Sequence, residues 1–148
     1  MSVISFFRAD TQEVIGTAPL ADWWKIAGEL FGTITSMKDE ATRTKLLALT
    51  KLGSDFRQPP RQIILTELDL VDWHWACSIG MIRVMKQVAD DSDAYLKSPH
   101  QASINLSQTW AHKISGAFVE LLALNMALLD AHCQIEVREV RTPMLKVI

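Results

Sequence analysis

At 148 residues the chain has the length of one domain, 1 to 148, able to bury roughly 70% of its unfolded surface. Hydrophobic residues make up 49%, charged residues 22%, and the net charge is -2; these totals argue against an acidic disordered chain and against a protein that holds a polyanion by overall charge. Two cysteines, Cys77 and Cys133, in apolar surroundings argue against a disulfide scaffold and for a reducing, cytoplasmic setting.

The opening "MSVISFFRAD" has no basic stretch before a short apolar run, so no export signal is expected. "SVISFFRADTQEVIG" holds two β-branched and aromatic stretches around a polar turn, the pattern of a hairpin from Val3 to Gly16. In "TAPLADWWKIAGELFGTI" the apolar residues recur at helical spacing, with Pro19 suited to the first turn. Ser36 with Asp39 three places on resembles a capping box, and Gly53 supplies a stop. "SDFRQPPRQ" cannot continue a helix through its prolines and reads as a loop, followed by "IIL" as a short extended segment or lead-in.

Thr66 with Asp69 gives a second helix start, opening a spine helix over 67–89 that ends at "DDSD". A third start signal is "SPHQ", with Ser98 as cap, Pro99 in the first turn and Gln101 reaching back. Apolar spacing then runs to His132, with a break expected near "NLS" (105 to 107) and a second central helix over 107–132. Its segment "ISGAFVELLALNMALL" is interrupted by Glu120 and Asn125 and reads as a buried helix, with no membrane span. "QIEVREVR" alternates like a half-exposed strand that could pair with the N-terminal segment. The expected architecture is mainly α: a compact bundle of four or five helices, with a small sheet from the terminal segments as an optional addition.

Helical projection at 100° per residue gathers Leu70, His74, Cys77, Met81, Met85 and Val88 on the inner face of the spine helix. On the second long helix it puts Trp110, Ile114, Leu121, Asn125, Leu128 and His132 inside. His74, Asn125 and His132 are therefore expected to form a buried polar network, or in the alternative reading the wall of a ligand pocket in a small enzyme or binding bundle. No CxxC, HExxH, glycine-rich phosphate loop or nucleophile elbow occurs, so no catalytic residue, metal or cofactor is assigned.

Residues 41 to 62 carry Arg43, Lys45, Lys51, Arg57 and Arg61 against Asp55, whereas residues 67 to 93 carry six acids, including Asp90, Asp91 and Asp93. This two-sidedness suits steering of a charged protein; the short basic set lacks the interleaved aromatics of a nucleic-acid surface. The adjacent Trp23 and Trp24 cannot both sit at the centre of one helix face, so one is expected at a boundary or contact. The functional expectation is a non-enzymatic, protein-binding protein that neutralises or escorts a partner such as a cognate toxin or secreted protein. Arg57, Arg61, Asp90, Asp91, Asp93, Trp23 and Trp24 are its contacts, in a one-to-one complex or a homodimer.

Overall fold

In a computed structural model, residues 2–52, 62–97 and 109–141 are described. They form β1 (Ser2–Arg8), β2 (Val14–Pro19), α1 (Leu20–Thr35), α2 (Glu40–Thr50), β3 (Gln62–Leu65), α3 (Glu67–Lys97), α4 (Trp110–Asp130) and β4 (Ile135–Arg141). The four strands make one antiparallel sheet in the order β2-β1-β4-β3. The helical-bundle expectation is therefore corrected: the fold is a mixed, still mainly helical one in which a sheet forms a full structural layer. Its centre is the pairing of β1 with β4, from Ser2 opposite Arg141 to Arg8 opposite Ile135. The expected pairing of the C-terminal strand with the N-terminal segment is present; what local periodicity undervalues is the extent of the sheet, since three-residue apolar runs such as "IIL" weigh little against long helices.

Register decides which side chains meet the helices. Ile4 lies opposite Ala18 and Phe6 opposite Gly16, Phe6 opposite Val137, and Ile63 and Leu65 opposite Val137 and Ile135. With side chains alternating along each strand, these residues share the core face. At Gly16 a Cβ would run into Leu124 of α4, so the absent side chain is what lets helix and strand meet. On the reverse face the Arg138 guanidinium lies 3.9 Å from the Phe7 ring centre, pairs with Glu136 at 3.2 Å and donates to Gln12 at 3.1 Å. Gln62 donates to the other Glu136 oxygen. The cluster joins β1, β3, β4 and the hairpin turn.

The helices start and stop for local reasons. Asp39, not Ser36, caps α2, its Oδ2 accepting from the Thr42 N–H at 2.9 Å; the Ser36 hydroxyl instead closes α1 by donating to the Thr33 carbonyl at 2.7 Å. Thr66 and Asp69 form the reciprocal box, Thr66 N–H to Asp69 Oδ2 at 2.9 Å and Asp69 N–H to Thr66 Oγ1 at 3.2 Å. The expected stop at "DDSD" does not occur, and α3 continues to Lys97. Bonds one turn apart hold the acidic run helical: Gln87 to Asp91 at 2.9 Å and Lys97 to Asp93 at 2.9 Å. Thr109 caps α4, which ends where His132 turns left-handed at φ 49°. The stop at Gly53, the cap at Ser98, Pro99 and Gln101, and the break at 105 to 107 lie outside the described residues.

An aromatic column fixes how the layers fit. Phe6 of β1 meets Trp23 of α1 at 6.0 Å, and Trp23 stacks on Trp73 of α3 at 5.6 Å and 29°. The Trp23 Nε1–H donates to the Leu49 carbonyl of α2 at 3.1 Å, so a single indole joins the sheet and three helices. Farther along, Gly80 lets α3 close on α1 and α4, since a Cβ there would lie 2.9 Å from Leu30 Cδ2 and 3.0 Å from Phe118 Cε1. Lys45 of α2 pairs with Asp69 of α3 at 2.6 Å. Burial would push the Asp69 carboxyl up, but Lys45 and the two Thr66 bonds outweigh it and hold the group below the usual carboxylate range.

Two stability predictions follow from these contacts. Trp23→Ala should lower the unfolding free energy by about 4 kcal/mol through lost volume and lost stacking, measured by chemical denaturation; a change within error would contradict the column's role. Asp69→Ala should cost about 2 kcal/mol at neutral pH. Because the folded-state pKa is depressed, wild type keeps the Asp69 contribution above about pH 4 and loses it as pH falls through the lowered value. The difference between the two proteins should therefore shrink in acid, as read from unfolding curves at several pH values.

Candidate protein-interaction surface

The projected inner face of α3 needs a rotation. Its buried residues are Asp69, Leu70, Trp73, Ala76, Cys77, Gly80 and Val84, while Met85 is exposed and His74 half-buried. The reason is that α3 is apolar on two faces. Opposite the core run Leu68 (78% exposed), Val71, Trp75 (51%), Ile82 (65%) and Met85, and averaging both faces gives a direction between them that corresponds to neither.

His74, Asn125 and His132 do not form one hydrogen-bonded network. Asn125 of α4 is buried, but His132 is exposed beyond the end of the helix. The side chains of His74 and Asn125 make no hydrogen bond to each other: His74 Nδ1 and both amide atoms of Asn125 are buried without a protein partner. Asn125 instead lies against Cys77. Burial pushes the Cys77 thiol up to about 12, and the nearby amide offsets only part of that; the contact falls short of ordinary hydrogen-bond geometry. Among the described residues no group of three His, Cys, Asp or Glu side chains could hold a metal ion. A surface depression of about 680 Å³ lies elsewhere, between α2 and the β3 edge.

The other sequence-derived contacts separate as well. Trp23 is core, whereas Trp24 is 44% exposed, which resolves the adjacent pair. Asp90, Asp91 and Asp93 lie on α3 rather than in a loop, Asp91 and Asp93 engaged by Gln87 and Lys97. Arg57 and Arg61 lie outside the described residues. One member of each charge set, Lys45 and Asp69, bind each other.

Large apolar side chains also stand on the outward faces of the helices. α1 buries Leu20, Trp23, Ile26, Leu30 and Ile34 and presents Trp24 and Phe31, seven residues apart, to solvent. α4 buries Ile114, Phe118, Leu121 and Leu128 and presents Val119 and Met126, also seven apart. Between these helices Lys25, Glu29, Trp110, Lys113 and Ile114 line a groove of about 340 Å³. α4 is long and apolar enough to cross a membrane by length and composition, yet its inner face is part of the core. Trp110, expected inside, is exposed because it stands at the first position of α4.

No protein-family model matches the chain, and no curated protein and no solved structure matches it.

Cys77 should be chemically silent in the folded protein. Alkylation followed by peptide mass spectrometry should find its reaction at neutral pH at least about a hundredfold slower than in the unfolded chain. Comparable rates in the two states would show that the α3–α4 interface opens readily.

Proposed function

We propose that this chain is a non-enzymatic, protein-binding protein whose task is to neutralise or escort a partner. The supporting observation is that helices α1, α3 and α4 each bury one apolar face and carry a second apolar face outward. Large apolar side chains scattered singly over a surface are ordinary, but aligned ones mark contact surfaces. Trp24 and Phe31 supply broad aromatic area of the kind that dominates binding energy when a partner excludes water from it. The exposed acidic turn of α3 at Asp90 adds orientation and association rate rather than bulk affinity.

The partner implied has an apolar, helix-sized contact face. Small single-domain proteins that lack a catalytic constellation and act by covering another protein include toxin-neutralising immunity proteins, antitoxins and secretion chaperones, and the proposal places this chain in that functional class.

The test is recovery of a stoichiometric protein partner from the native host, reconstitution from purified components, and titration calorimetry. Wild type should bind one-to-one, and the double variant Trp24→Ser, Phe31→Ser should bind at least about tenfold more weakly with unchanged circular dichroism. Failure to reconstitute any complex, or equal affinity of the variant, would contradict the reading.

A further inference from the structure

We infer that the outward face of α3 is a coiled-coil seam that pairs with α3 of a second copy of this chain, in antiparallel orientation. The spacing carries the first step. Leu68, Trp75, Ile82 and Ala89 follow at intervals of seven, and Val71, Ser78, Met85 and Ser92 fall three places after each, so the alternation of three and four is unbroken over 25 residues of a single helix. An apolar repeat of 3.5 residues is what two helices wrap around each other. The buried positions Leu70, Trp73, Cys77, Gly80 and Val84 occupy the opposite side, the one a coiled coil ordinarily leaves to solvent. The core therefore uses one side of α3 and leaves the heptad seam outward.

The two polar members of the seam suit a dry contact. Ser78 donates to the His74 carbonyl at 2.8 Å and Ser92 to the Val88 carbonyl at 2.9 Å, so each hydroxyl is satisfied within its own helix and presents little more than a small side chain.

Size and charge choose the occupant and its direction. With two copies antiparallel about a two-fold axis at the level of Gly80, Trp75 of each copy faces Met85 of the other, Ile82 faces Ser78, Val71 faces Ala89 and Leu68 faces Ser92. Every layer then sets a larger side chain against a smaller one. Flanking the seam, Asp72 of each copy comes beside Lys86 of the other, twice by symmetry. Within the chain neither has an ion-pair partner among the described residues. A parallel pair would stack Trp75 on Trp75 and set Glu67 beside Asp72, like charges in contact. Sliding the antiparallel pair by one heptad puts Asp72 beside Asp93. The self-complementary register is thus the one that brings opposite charges together.

This inference goes beyond partner binding, and its seam on α3 does not include Trp24 and Phe31 of α1, so the two fail separately: Trp24→Ser, Phe31→Ser should lose the partner and keep the dimer. Sedimentation equilibrium of the purified full chain should show a monomer–dimer equilibrium. Ile82→Lys should abolish the dimer with helical circular dichroism retained. Lys86→Asp should raise the dissociation constant at least about tenfold, and Asp72→Lys added to it should restore the constant to within about threefold of wild type. A monomer at every concentration up to roughly 0.1 mM, where a micromolar dimer is nearly all associated, would overturn the inference. So would a dimer indifferent to Ile82→Lys or a charge swap that fails to restore association.

Discussion

The stack of Trp23 on Trp73 is the constraint from which the rest of the molecule takes its orientation. It fixes the rotation of α3 about its own axis: with Trp73 turned to the core, Trp75, about 200° farther around the helix, must face away. Phe6 beneath it and the Leu49 carbonyl beside it tie that choice to the sheet and to α2. An indole in this place contributes area, stacking geometry and one satisfied N–H, three reasons a smaller aliphatic residue would hold the rotation less firmly.

From that fixed rotation the outer surface follows. A helix packed on one side only can be polar on the other, and most are. Here three helices depart from that rule, and on α3 the departures keep a seven-residue period with its three-and-four subdivision. Cys77 is kept as a thiol, Asn125 is sealed beside it, and His132 is carried out to solvent by the left-handed turn that ends α4.

Much of the local structure was legible in the residues. Alternation around "RADTQE" marks the hairpin, Thr66 and Asp69 mark the start of α3 by a capping box that the structure reproduces atom by atom, and the charge alternation of "QIEVREVR" marks β4. What was not legible was of two kinds. The extent of the sheet is one: the expected pairing of the terminal segments is present as β1 with β4, but three apolar residues in "IIL" do not announce a β3 that completes a four-stranded layer. The inner face of α3 was misjudged because one mean direction cannot represent two apolar faces lying roughly 150° apart. Treating Leu68, Trp75 and Ile82 as a separate seven-residue series would have recovered the second face from sequence alone. Within the two charge sets of residues 41 to 62 and 67 to 93, one pair, Lys45 and Asp69, is internal and joins α2 to α3.

Hydroxyl-radical footprinting of the purified chain over a range of protein concentrations tests the two-faced α3 most directly. Trp75, Ile82 and Met85 should react readily when dilute and become protected together as concentration rises, with Trp73 protected throughout and Trp24 and Phe31 reactive throughout. Reaction of Trp73 as fast as Trp75 in dilute solution, or seam side chains whose reactivity never changes with concentration, would contradict it.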